Sequence, residues 1–344
     1  MMQPTLTTRV ERQIIVGWLL VATLVLPLQV MAEEAQSPPP PSPPQKDESL
    51  LDWLDKPRDY LSERFVSMST RMDSFFADER VFQESRTSFV RVYGDLTYKE
   101  AQTSDFKIKV QAKLVLPALQ KRLHLLIESD SDSTDGIPTS AVATQSGVPN
   151  VDVPKDFLAS LQMLVKDSLH LNINTDAGLR IHGIHTDLFA RARARGAQDI
   201  GDWQLRLTES LYWFEQSGAG ESTQFDADRK LSEDYLARMR TLATWSDHDQ
   251  KYYYEQDFNL FHRLDEKNAM SYSAGVFGVN QPNSHVAAYA ISTKWRHRLH
   301  REWMFFEVQP VLSWPEEQEF HSTFSILFRI EAIFGDVACG CYGL

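Results

Sequence analysis

Phe106-Lys107-Ile108-Lys109-Val110-Gln111-Ala112-Lys113-Leu114-Val115-Leu116 sorts into two sets when every second side chain is taken together. One set is Phe, Ile, Val, Ala, Leu and Leu; the other is Lys, Lys, Gln, Lys and Val. A period of two belongs to an extended strand, because successive side chains of a pleated backbone point to opposite faces. A helix would mix the sets around its circumference. The same alternation recurs in Val90, Val92, Leu96 and Tyr98, in Leu205, Leu207, Leu211 and Trp213, and in Tyr235, Ala237, Met239, Ala243 and Trp245. It runs on to Phe334, so the chain reads as all-β from about Ser88 onward.

Fourteen strands are expected, near 88–98, 105–116, 121–128, 158–165, 168–182, 188–196, 202–214, 222–230, 235–245, 251–264, 269–279, 285–296, 302–314 and 320–334. The segments 158–165 and 168–182 alternate least clearly, and without them the count is twelve. Short polar turns such as Asp265-Glu266-Lys267-Asn268 and Gln281-Pro282-Asn283-Ser284 punctuate the series. Each strand with its connection takes about 18 residues, the rhythm of an antiparallel up-and-down meander. One connection is long: 129–157, rich in Ser, Thr, Asp, Gly and Pro, reads as a surface loop.

The chain has 344 residues, of which 42% are hydrophobic, enough for a folded body. Its net charge of −12 is the wrong sign for nucleic-acid binding. Only Ile14 to Leu28 is continuously apolar, which excludes a polytopic helical membrane protein. A membrane β-barrel survives this test, since its lipid-facing residues occupy alternate positions and average out in any window. Aromatic residues at the strand margins of the apolar face favour that reading over a soluble sandwich: Tyr98, Trp203, Trp213, Trp245, Tyr252, Trp295, Trp314 and Phe334 form the pattern of an interfacial girdle. The expected fold is an antiparallel transmembrane β-barrel of about 12–14 strands, preceded by a short amphipathic helix.

Arg9 and Arg12 precede the apolar run, and Val30-Met31-Ala32 follows it with the residues of a cleavage site, so 1–32 reads as a secretory signal peptide. Residues 33–47 are a Pro-rich linker. Within 48–84, Leu61, Phe65, Met68, Met72 and Phe75 make the seam of an amphipathic helix, which either packs on its own chain or docks a periplasmic partner. The barrel takes 85–334 and a tail takes 335–344. Cys339 and Cys341 both lie in that tail; one residue apart, they cannot staple a fold, and they supply at most two ligands of a structural zinc site.

Phe324, Ile326, Phe328, Ile330, Ala332 and Phe334 alternate with Ser325, Leu327, Arg329, Glu331 and Ile333, ending in an aromatic on the apolar face. This strand resembles the C-terminal strand signature of Gram-negative outer-membrane β-barrel proteins, whose terminal Phe is read by the barrel-assembly machinery. The resemblance implies residence in the outer membrane with the N-terminal segment in the periplasm, contact with outer-membrane lipid, and insertion by that machinery. Gly335 to Leu344 extend past the position where such proteins normally stop.

If the apolar face meets lipid, the other face lines a lumen. Sixteen basic and eight acidic residues fall on it by alternation, including Lys107, Lys109, Lys113, Arg191, Arg193, Arg195, Arg206, Arg238 and Arg240. A cationic lumen favours anions. The contrasting reading is a plugged lumen in which Arg and acid side chains pair across the interior, helped by inward Phe189, Tyr253, Phe261, Trp303 and Phe305. Glu209 breaks the pattern, since it shares a face with Leu205, Leu207, Leu211 and Trp213; a bulge near Ser210 or a protein contact would account for it.

Two functional classes follow: a channel favouring small anions, and a structural or partner-binding barrel with a docking helix in 48–84. A lipid-active outer-membrane enzyme ranks third, because no His stands in a recognisable nucleophile motif, and no catalytic activity is expected. His182-x-x-His185 and His297-x-x-His300 have metal-like spacing, but the second sits in the cationic run Arg296 to Arg301. The acidic stretch Asp130 to Gly136 matches a calcium loop poorly, with Ala141 where Glu is required. No cofactor, metal or nucleic-acid partner is expected.

Overall fold

The computed structural model describes Met72, Asp73, Phe75, Phe76, Phe82 and residues 87–335, apart from 101–103, 117–122, 130–156, 169, 183–184, 249 and 300–302. The expected signal peptide, linker and tail with its two cysteines lie outside the described residues. So do most of 48–84 and nearly all of the long loop.

Fourteen strands follow in chain order: β1 Phe89–Lys99, β2 Asp105–Leu116, β3 Leu123–Ser129, β4 Phe157–Asp167, β5 Leu171–His182, β6 His185–Ile200 and β7 Trp203–Phe214. They continue with β8 Gly218–Lys230, β9 Tyr235–Ser246, β10 Lys251–Arg263, β11 Asn268–Val279, β12 His285–Arg298, β13 Met304–Pro315 and β14 Thr323–Gly335. Each pairs antiparallel with its chain neighbours, and β1 pairs with β14 in register from Phe89↔Gly335 to Lys99↔Ser325, closing the barrel. Closure removes the two free edges that an open sheet would expose.

Burial is inverted relative to a soluble protein, and this settles which way the apolar face points. Arg296, Glu307, Glu331, Asp226 and Asp228 are at most 2% exposed, whereas Phe106 is 63%, Ile108 64% and Ile330 57% exposed. A sandwich core would bury the second set and expose the first. No helix among the described residues is long and apolar enough to cross a membrane. The margin aromatics face outward, Tyr98, Trp203, Trp213 and Phe334 among the most exposed.

The count is fourteen, so both weakly patterned segments are strands. In β4 the inward set is Leu158, Ser160 and Gln162, and an apolar residue on the polar face blurs the alternation. In β5 the inward set Asn174, Asp176 and Arg180 is clear, but Thr175 interrupts the outward one. β8 begins earlier than the alternation indicates, because Gly218, Ala219 and Gly220 have no side chains large enough to alternate. Glu209 faces outward without any bulge: β7 pairs continuously, with Glu209 opposite Ala194 and Thr223, and Ser210 is fully buried on the inner face. Its carboxylate accepts a hydrogen bond from the Thr223 hydroxyl at 2.7 Å.

Candidate functional site: the charged lumen

Alternation puts a charged set inside every wall, and the register decides who meets whom. Across β12, β13, β14 and β1 the charges form one connected ladder. Arg329 Nε and Nη2 donate to Asp95 at 2.6 and 2.8 Å, and Arg296 donates to Glu307 at 3.0 Å and also to Glu331, which accepts from Arg91 as well. Lys294 lies 3.5 Å from Glu307. Arg296 is fully buried beneath the Phe305 ring, 4.3 Å from its centroid. Buried charges persist only when paired and hydrogen-bonded, and here each is shared between two strands or more.

A second set joins β8 and β9. Arg238 makes a bidentate contact with Asp228, 2.7 Å on each arm, and Arg240 reaches Asp226 at 3.4 Å. The third set, on β5 and β6, pairs Arg180 with Asp187 at 2.6 Å and Arg191 with Asp176 at 2.6 Å. Gln162 donates to the same Asp176 at 3.0 Å, and Arg193 donates to the Ser210 hydroxyl at 3.3 Å.

Inward basic side chains outnumber inward acidic ones on both sides of the lumen. Among the described residues, inward positions of β2 to β7 carry Lys107, Lys109, Lys113, Arg180, Arg191, Arg193, Arg195 and Arg206 against Asp105, Glu128, Asp176, Asp187 and Asp199, with Lys107 3.3 Å from Asp105. The remaining, more acid-rich wall holds Asp95, Asp226, Asp228, Glu255, Asp257, Glu307 and Glu331 at inward positions, against eleven bases that include Arg91, Arg238, Arg240, Arg296 and Arg329. A small cavity adjoins the basic side, bordered by Gln111, Lys113, Glu128, Gln162, Arg191 and Arg193, with Phe82 and Phe89 at its apolar edge.

Met72, Asp73, Phe75, Phe76 and Phe82, ahead of β1, are buried against the inner wall of the barrel. Met72, Asp73 and Phe75 are helical, with the Phe76 amide bonded to the Met72 carbonyl at 2.9 Å. Met72, Phe75 and Phe76 form one buried cluster with Leu236, Phe261 and Ala269 of the wall. Phe75 meets Phe305 edge-on with centroids 6.0 Å apart, and Phe82 stacks obliquely on Phe89 at 5.0 Å. Two of the five seam positions, Met72 and Phe75, are thus covered by their own chain; the other three lie outside the described residues.

All nine basic residues singled out from the sequence belong to inward positions of their strands. They do not form one ring. Arg238 and Arg240 belong to the acid-rich wall, whereas the other seven share the β2 to β7 side. The sequence reading omitted Asp176, Asp187, Asp199, Arg296 and Arg298 from the lumen. Asp176 and Asp187 lay in or beside the weakly patterned strands, and Arg298 lies beyond the expected end of β12; Arg296 falls within the expected strand on the same face as Lys294. Arg122 lies outside the described residues. Trp303 belongs to the turn before β13, where alternation no longer applies, and its ring packs on outward Phe334 at 5.0 Å.

The described histidines are spread apart. His124 is buried in the lumen beside Gln162 at 3.4 Å, His262 stacks on Tyr235, and His285 contacts Glu316 at 2.9 Å on the rim. Among the described residues no group of three or more His, Cys, Asp or Glu is arranged to hold a metal ion.

No protein-family model matches the sequence, and no curated protein matches it. Solved structures share its barrel arrangement. The outer membrane channel DcaP of Acinetobacter baumannii is 8% identical with a TM-score of 0.41, the match covering 72% of this chain and 96% of that one. OprB of Pseudomonas putida, in its high-pH structure, is 7% identical with a TM-score of 0.46, covering 75% and 97%. A bacterial polysaccharide outer membrane secretin is 12% identical with a TM-score of 0.41, covering 72% and 99%. At these values the likeness extends no further than a barrel of strands. A closed, even-numbered antiparallel barrel with an apolar belt and aromatic margins is the architecture of Gram-negative outer-membrane β-barrel proteins, and it is carried here by the chain's own register and burial.

Proposed function

We propose that the protein is an outer-membrane channel for small anions, with its conducting path along the basic β2 to β7 wall. The observation that carries this reading is the cationic excess on that side: eight basic against five acidic side chains at inward positions of β2 to β7, with Lys113, Arg191 and Arg193 bordering one small cavity. Fixed positive charge lining a narrow aqueous path attracts anions and repels cations. The acid-rich wall, tied into its ladder of pairs, gives the barrel its shape. Both ends of the barrel chain lie at one rim, which in this reading faces the periplasm, while the long loop after β3 lies at the other.

The test is electrical. The purified protein in planar bilayers under a salt gradient should give an anion-selective reversal potential, and Arg193→Gln with Arg195→Gln should move it toward zero. Arg191 is left intact because it neutralises Asp176. A reversal potential unmoved by the double substitution, or cation selectivity in the parent, would refute the assignment.

A further inference from the structure

We infer that the chain through Met72, Asp73, Phe75, Phe76 and Phe82 is a luminal plug, latched to the wall by Asp73 and Arg238. The latch is one charge pair placed where it fixes a segment to a strand. Arg238 Nη1 meets Asp73 at 2.8 Å, while its Nε and Nη2 hold Asp228 at 2.7 Å each. The guanidinium is therefore divided between a carboxylate of its own wall and one from the incoming segment. Its side chain is 1% exposed and that of Asp73 5%, and the Phe261 ring lies 5.1 Å away. In such a place an ion pair is weakly screened, and its loss leaves a buried charge less well compensated.

The rings on either side of the latch extend the contact around the mouth. Phe76 meets Phe261 of β10 at 5.3 Å, Phe75 meets Phe305 of β13, and Arg298 of β12 lies over Phe75 at 5.6 Å. Phe82 reaches Phe89 of β1 and lies under Arg91 at 4.4 Å, and it also borders the cavity shared with Lys113, Arg191 and Arg193. Met72, Asp73, Phe75 and Phe76 thus meet β9 to β13, and Phe82 meets β1 beside the basic wall, all near the rim that carries both ends of the barrel. Apolar rings fill space without selecting a position; the Asp73–Arg238 pair selects it. Release of the pair frees the mouth next to the wall assigned to conduction, and that consequence rests on the channel reading.

The experiment uses the full chain with Cys339→Ser and Cys341→Ser, and Met72→Cys as a reporter, since Met72 is 4% exposed within the plug cluster. Labelling by a bulky water-soluble maleimide should be slow, about tenfold or more faster with Asp73→Asn, and slow again with Asp73→Glu. Unheated gel mobility should stay that of a folded barrel throughout, because Asp73 belongs to no strand. In planar bilayers Asp73→Asn should raise conductance several-fold over the parent. Equal labelling rates with Asp and Asn at position 73 would overturn the latch. Faster labelling without a change in an existing conductance would overturn its role in closing the path. Faster labelling with no conductance in any variant would uphold the latch and sink the channel reading instead.

Discussion

Arg329 of the last strand donates two hydrogen bonds, at 2.6 and 2.8 Å, to Asp95 of the first, across the seam where the barrel closes. The two are direct cross-strand partners although 234 residues separate them. Their pairing joins chain ends whose meeting has the largest loop-closure cost in the fold. Asp95→Ala should destabilise the barrel by about 1–3 kcal/mol, because it leaves a half-buried guanidinium without its two acceptors. Asp95→Leu with Arg329→Leu should recover much of that loss. Urea unfolding in lipid vesicles, followed by gel mobility without heating, measures both.

Ile330 projects from the middle of β14 and is 57% exposed. In lipid, Ile330→Arg should cost about 2–4 kcal/mol, falling toward about 0–1 at the strand ends. Ile330→Leu should cost less than about 1.5 kcal/mol. Equal unfolding midpoints for Arg and Leu at this position would mean the face is bathed in water.

Glu209 sits on the same belt, bonded to Thr223 and opposite Ala194. Since no bulge turns it inward, Glu209→Leu should stabilise the barrel in vesicles by about 1 kcal/mol, as removal of a polar group from the lipid face predicts. A loss of stability would instead mean that the carboxylate is held in place by a protein neighbour.

Gly220 makes room for Tyr212: a Cβ there would overlap the phenol ring, whose hydroxyl donates to the Trp245 carbonyl at 3.0 Å. Gly220→Ala should therefore cost about 1–3 kcal/mol by overpacking. Tyr212→Phe with Gly220→Ala leaves the ring clash in place and should not restore stability, whereas Tyr212→Ser in the same background should restore part of it. Urea midpoints of the four proteins give the answer.

Asp265, in the turn between β10 and β11, accepts from the Lys267 amide at 2.7 Å, the Asn268 side chain at 2.8 Å and the Asn268 amide at 2.9 Å. These donors hold its carboxyl below the usual carboxylate range, the Lys267 amide most of all. A depressed carboxylate supports its turn at neutral pH and loses that support as pH falls through the lowered value. Amide exchange at Lys267 and Asn268 should accelerate only in that acid window, and Asp265→Asn should abolish the pH dependence.

The alternation from Phe106 to Leu116 determined the strand type, and the outward aromatics with the β14 pattern determined that the sheet is a membrane barrel, because a period of two and an interfacial ring preference are properties of the chain itself. The number of strands needed the tertiary structure. β4 and β5 are held by hydrogen bonds to their neighbours, and Leu158 on the inner face hides the pattern. Glu209 likewise reads as a possible bulge until the continuous pairing of β7 with both neighbours is seen. The sequence also marks most inward charges, yet it cannot assign partners, since Arg329 meets Asp95 and Arg296 meets Glu331 only after closure sets the register. The positions of Met72, Phe75 and Phe82 were decided at that same level. An amphipathic seam states that a face must be covered, and only the folded barrel, with Arg238, Phe261 and Phe305 lining its mouth, shows that its own lumen covers Met72 and Phe75.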